Sequence, residues 1–222
     1  MPTILLWVTL IIAVINWISI SIHLKTCNYI SKPATIIALM AWLWQVSGFQ
    51  GHRIWFAIAL FFSLIGDIFL MLPKERFLYG LLAFMLGHLA YIIGLNNTPP
   101  PINLASLSIS LIVIFTGVAI YRVISSSLRE KNLRKHEKPV LVYTIVISIM
   151  LISALLTLVR GEWNAYSSLL VSFGAILFFL SDTFIAWHKF VTPLKWRNIR
   201  VRSTYHLGQI GLIIGAVLHF VY

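Results

Sequence analysis

The chain has 222 residues, 59% hydrophobic and only 10% charged, with a mean hydropathy of +0.92. A soluble domain carries about 25% charged residues, so the composition excludes a soluble fold and leaves no stretch for a separate soluble domain. The formal charge of +11 would suggest nucleic acid in a soluble protein, but here the cations read as loop anchors that set orientation, and the single cysteine, Cys27, excludes an intrachain disulfide and a cysteine-only metal cluster.

Eight apolar segments are long enough, or nearly so, to cross a bilayer: residues 3–22, 34–49, 54–72, 77–95, 104–124, 139–159, 165–187 and 204–221. In lipid only helices satisfy their own backbone groups at these lengths. The expected fold is therefore all-α, a polytopic bundle of about eight transmembrane helices in one integral membrane domain, 1–222. The first segment has no basic stretch before it and reads as a span rather than a cleavable signal. Pro33 and Pro139 are expected in first turns, where a missing N–H costs nothing. Pro73 is expected to end the third helix, and the run NNTPPP at 96–101 to separate the fourth from the fifth.

Cations cluster on one side of this arrangement. Loop one–two holds Lys25 and Lys32, and loop three–four holds Lys74 and Arg76. Loop five–six with its helix edges holds Arg122, Arg129, Lys131, Arg134, Lys135 and Lys138, and loop seven–eight holds Lys189, Lys195, Arg197, Arg200 and Arg202. The other side keeps only Arg53 and Arg160. The positive-inside rule then puts these odd loops in the cytoplasm and both termini outside.

The two halves echo one another. FMLGHLAYIIG (84–94) aligns without gaps to YHLGQIGLIIG (205–215), SLIGDIF (63–69) to FFLSDTF (178–184), and Lys32-Pro33 to Lys138-Pro139. Halves of four helices each, about 1–101 and 102–222, would be parallel repeats about an axis along the membrane normal.

The acids are placed unevenly. The only two aspartates, Asp67 and Asp182, lie inside apolar segments, while Glu75, Glu130, Glu137 and Glu162 all lie between them. An Asp in hydrocarbon costs about 2.5–3.5 kcal/mol on insertion scales, so a site is the natural reason for both. On the expected topology Asp67, Asp182, Tyr143, Tyr205 and Gln209 sit at similar depths near the cytoplasmic leaflet, with His88 deeper, and one polar cavity would collect them. The alternatives at each position are structural: an Asp bonded to Ser63 or Ser181, a packed His88, interfacial tyrosines, a Gln209 that ties helices together. No metal motif, nucleophile elbow or phosphate loop is present, and no cofactor is expected.

In order along the chain, Lys32-Pro33, Ser63 with Gly66-Asp67, Phe84 with Gly87-His88, Pro139-Val140 with Tyr143, Phe178 with Ser181-Asp182, and Tyr205 with Gln209 make a set that resembles the lysoplasmalogenase (YhhN-type) family of multispanning membrane proteins. The resemblance covers nearly the whole chain. It implies hydrolysis of the vinyl ether bond of a lysoplasmalogen, a lysophospholipid drawn from among the membrane lipids, to a fatty aldehyde and glycerophosphoethanolamine or glycerophosphocholine. Asp67 and Asp182 would be catalytic, supported by His88, Tyr143, Tyr205, Gln209 and Ser63, with Lys32, Lys138 or a loop arginine meeting the phosphate. Replacing either Asp by Asn is then expected to abolish turnover and leave folding intact. The implied location is a cell membrane, the bacterial inner membrane. The alternative is a transporter or flippase of a small amphiphile with an Asp/His proton relay.

Overall fold

The computed structural model describes residues 4–72 and 76–221. Among them eight α-helices follow one another without a strand: α1 (Ile4–Ser21), α2 (Lys25–Ser47), α3 (Arg53–Met71), α4 (Phe77–Leu95), α5 (Leu104–Glu130), α6 (Glu137–Leu155), α7 (Ala165–Ala186) and α8 (Arg197–Phe220). A 3₁₀ turn, Arg134–His136, leads into α6 and another, Leu156–Val159, extends it; a π-helical turn, Trp187–Val191, extends α7. All but α2 and α8 are long and apolar enough to cross a membrane. Asparagines start two of the spans: Asn103 Oδ1 accepts from Ser106 N (2.8 Å) below α5, and Asn164 Oδ1 from Ser167 N (2.9 Å) below α7.

Three boundaries depart from the sequence reading; α5 runs on to Glu130 instead of ending at 124, and two helices start early. α2 starts at Lys25, so Pro33 lies inside it rather than in its first turn, and Lys32 is helical and buried rather than a loop charge. An interior proline removes one helical hydrogen bond, but the polar residues that looked like a loop find partners in the bundle. Asn16 of α1 donates to Asn28 Oδ1 (3.0 Å) and Ser31 Oγ (2.9 Å), and Lys32 reaches Asp67 of α3. α8 likewise starts at Arg197, which puts Arg197, Arg200 and Arg202 on helical turns instead of in loop seven–eight. Pro73 and Lys74 lie outside the described residues.

The closest helix pairs are α7 with α8 and α3 with α4. Small residues permit this approach. A Cβ on Gly174 would come within 2.5 Å of Leu212 N and 2.7 Å of Gly208 O. A Cβ on Gly66 would sit 2.6 Å from the Phe84 ring, so α4 lies directly on α3 at the residue before Asp67. α5 differs: it packs on α6 and the turn after α7, not appreciably on α4, and it leaves Ile112 and Phe115 exposed.

Candidate active site

Two cavities share Leu70, Phe84, Asp182 and Ile185 in their walls. The first lies between α4, α5, α6 and α7 and is apolar: Phe77, Leu81, Ile120, Ile124, Val140 and Phe179 line it, with Tyr143 and Asp182 as its main polar groups. Its empty space, counted out through its open side, is about 620 Å³. The second, between α2, α3, α7 and α8, is polar and lined by Lys32, Asp67, Asp182, Arg197, Asn198, Arg202 and Tyr205. Asp182 is therefore the acid on the seam between an apolar and a charged compartment.

The two carboxyl groups have different company. Asp67 Oδ1 lies 2.6 Å from Lys32 Nζ, and both side chains are 2% exposed. This is a desolvated ion pair; removing either partner strands the other's charge, at about 3–5 kcal/mol. Among the described residues Asp67 Oδ2 has no hydrogen-bond partner. The Tyr205 hydroxyl lies beside Asp67 but makes no hydrogen bond of ordinary geometry, and the ring is held edge-on by Phe84 and Phe178.

Among the described residues Asp182 is paired with no lysine or arginine in this way. The Tyr143 hydroxyl donates to its Oδ2, and His88 Nε2 lies 3.1 Å from the same oxygen and 3.0 Å from the Tyr143 hydroxyl. His88 is fully buried and packs against Phe178, ring centroids 4.7 Å apart. Among the described residues its Nδ1 has no hydrogen-bond partner, so the polar contacts of the imidazole run through Nε2.

Behind these groups Gln209 joins three helices. Its side-chain oxygen accepts from the Tyr91 hydroxyl of α4, and its Nε2 donates to Ser63 Oγ of α3 at 2.9 Å. Ser63 and Asp67, one turn apart, are thus referred to the α8 face that carries Tyr205.

Of the residues singled out in the sequence, Lys32, Asp67, Asp182 and Tyr205 line the polar cavity, and Tyr143 joins Asp182 in the apolar one. His88, Ser63 and Gln209 stand behind as supports. Lys138 is not brought in: it is exposed, in a surface recess with Tyr121 and Glu137. Tyr91 and Asn198 were missed, and Arg202 was covered only as an unnamed loop arginine. The last two had a signal. Asn198, Arg202, Tyr205 and Gln209 are spaced four, three and four, which is one face of a helix, but only if α8 is started early enough to include its charges.

An all-helical membrane protein, with two buried carboxyl groups at the meeting of a charged and an apolar cavity, is the class that fold and site define. Comparison with known proteins narrows it. Residues 27–216 match the YhhN family model, and the chain belongs to that family. It is 31% identical over 189 residues to mouse lysoplasmalogenase TMEM86B, covering 84% of this chain and 74% of the relative. It is 29% identical over 179 residues to the pig protein of the same name, covering 81% and 70%. The uncharacterized membrane protein YhhN of Escherichia coli O157:H7 is 28% identical over 129 residues, 53% of this chain and 62% of the relative. No solved structure matches the chain.

Proposed function

We propose that this protein hydrolyses the vinyl ether bond of lysoplasmalogens, releasing a fatty aldehyde and glycerophosphoethanolamine or glycerophosphocholine. The observation that carries the reading is the position of Asp182, in the walls of both cavities at once. An amphiphile bound across them would have its chain in the apolar space, its headgroup in the charged one, and its ether bond near Asp182. The names of the mammalian relatives support the same substrate.

The chemistry divides between the acids as their surroundings suggest. Asp182, among neutral partners, donates its proton to the alkenyl carbon beta to the ether oxygen; the double-bond electrons form that C–H bond and an oxygen lone pair makes the oxocarbenium ion. Asp67, tied to Lys32, is the carboxylate that faces the cation and takes a proton from the water that adds. The hemiacetal collapses as its hydroxyl proton is lost and the glycerol oxygen gains one. The proton on Asp67 returns to Asp182 across the cavity both line. Two carboxyl groups in unlike environments do the same work in glycoside hydrolysis.

Incubation of the purified protein with lysoplasmalogen should release aldehyde, carrying one deuterium beside the carbonyl when the solvent is D₂O. The saturated ether analogue should bind and stay intact. Transport without product would replace this proposal with the flippase reading.

The same proposal keeps both termini outside the cell membrane and the site near the cytoplasmic leaflet. A reporter active only in the cytoplasm, fused to the C-terminus, should be silent; a strong signal would reverse the orientation. The internal repeat is retained too. α1·α2, α2·α3 and α3·α4 packing is matched by α5·α6, α6·α7 and α7·α8, and α2·α8 by α6·α4. Asp67 meets α2 and α8 as Asp182 meets α6 and α4.

A further inference from the structure

We propose that the recess where the end of α5 meets the start of α6 binds an anionic phospholipid of the surrounding bilayer, at a site separate from both active-site cavities and independent of the hydrolase reading. Arg134, Lys135 and Lys138 stand around this recess with Tyr121, Glu137 and Leu141, and all three cations are exposed. The acid among them is already engaged. Glu137 Oε1 accepts from Arg129 Nε and from Ser125 Oγ, each at 2.8 Å, and its ion pair is with Arg129. Among the described residues no carboxylate pairs with Arg134, Lys135 or Lys138. With the charge of Glu137 balanced by Arg129, three positive charges face outward from one recess.

The occupant follows from what lies beneath those charges. On α6, Leu141 and Ile145 follow Lys138 at spacings of three and four, which is one face of a helix, and both are exposed. On α5, Val118 and Ile114 precede Tyr121 at spacings of three and four, and both are exposed too. The two helices keep this register because they touch closely further in, where a Cβ on Gly117 would sit 2.7 Å from Ser148 Oγ. From Lys138 to Ile145 the apolar face runs about 10 Å at 1.5 Å per residue, out of about 15 Å for the hydrocarbon of one leaflet. Cations over a bare apolar face match a phosphate over acyl chains, and basic recesses between membrane helices hold anionic headgroups in this way. A zwitterionic lipid would bring an ammonium group among three like charges; an anionic one brings none.

The recess adjoins the walls of the apolar cavity without opening on its polar groups. Tyr121 neighbours Ile120, and Lys138 lies two residues before Val140; Ile120 and Val140 both line that cavity. Because α5 packs on α6 and the turn after α7, a lipid bridging α5 and α6 adds to the contact that keeps α5 in place as a wall. A ligand that binds only the folded protein raises its stability by mass action.

Native mass spectrometry and thermal melts of the full chain in an uncharged detergent test this, with dioleoyl phosphatidylglycerol, dioleoyl phosphatidylcholine and inorganic phosphate as probes. Phosphatidylglycerol should bind about 10-fold tighter than phosphatidylcholine or better, at about fivefold per cation, and should raise the melting temperature as it loads. The variant Arg134→Gln/Lys135→Gln/Lys138→Gln should bring the two lipids to within about twofold of each other, since it removes all three cations. The control variant Lys25→Gln/Lys195→Gln/Arg200→Gln takes the same charge from exposed positions elsewhere and should keep the preference. Equal loss in the two variants would mean general surface charge and overturn the site, as would a preference that the recess variant leaves intact. Inorganic phosphate should not displace phosphatidylglycerol; displacement at equal concentration would make this a site for a free anion and end the lipid assignment. Phosphatidylglycerol and the saturated ether lysophospholipid should load together, and mutual exclusion would put both in the active-site cavities and remove the separate site. If the triple variant does not fold, Lys138→Gln alone decides, with about a fivefold loss expected for phosphatidylglycerol and none for phosphatidylcholine.

Discussion

Asp182→Asn should lower aldehyde release by at least about 10⁴-fold, the top of the range for a general acid, while the protein elutes and melts like the wild type. The asparagine keeps the size of the side chain. With its carbonyl oxygen where Oδ2 stood, it can still accept from the Tyr143 hydroxyl and from a His88 that carries its proton on Nε2, so the buried hydrogen bonds of Asp182 survive in kind. Only the transferable proton is lost. His88→Ala and Tyr143→Phe, which keep the acid and remove a group that orients it, should cost less, about 10²-fold. Gas-chromatographic measurement of the aldehyde beside a thermal melt makes the comparison. Near-wild-type release from Asp182→Asn would remove this residue as the acid and leave the carboxyl–imidazole pair a structural bond between α7 and α4.

Asp67→Asn should fail differently. It strands Lys32, 2% exposed, without its anion, and a broken buried pair destabilises by about 3–5 kcal/mol. The variant should express poorly and melt early in detergent. Lys32→Met alone should do similar harm by stranding Asp67. The double variant Asp67→Asn/Lys32→Met should recover most of the stability, because replacing both members of a buried pair by apolar or neutral groups is often neutral or better. On the proposed chemistry it should remain inactive, because the carboxylate assigned to face the cation is gone. Equal melting of Asp67→Asn and wild type would show that the pair does not hold α2 to α3. From sequence, both asparagine variants were expected to fold; the difference arises because Lys32 is inside a helix and pointed at Asp67.

What could be read beforehand was whatever hydrocarbon makes expensive. An acid in an apolar run is visible without a structure, so Asp67, Asp182 and His88 stood out, and α4 was bounded to the residue. The helix edges were legible where the chain turns through glycines, prolines and asparagines, as at 48–52 and 96–103. Where polar residues continue a helix, hydropathy misreads them as a loop, which is why α2, α5 and α8 came out short and why Asn198 was not seen as a site residue and Arg202 only as a loop arginine. Tyr91 was invisible for another reason. Its hydroxyl is useful only because Gln209, far along the chain, is there to accept from it, and no local pattern carries that information.

The incomplete packing of α4 and α5 around the apolar cavity has a thermodynamic corollary. Both helices line the cavity, so the seam between them faces acyl chains rather than water. The activity of the ligand that loads the site is then its mole fraction in one leaflet, a two-dimensional quantity, and added bilayer dilutes it while added buffer does not. Cleavage also separates the product into two phases: the aldehyde remains a solute of the hydrocarbon, and the glycerophospho fragment, no longer tethered to an alkyl chain, becomes a solute of water. Recombination would require a meeting across an interface, which makes the forward direction favoured by partition as well as by bond energies.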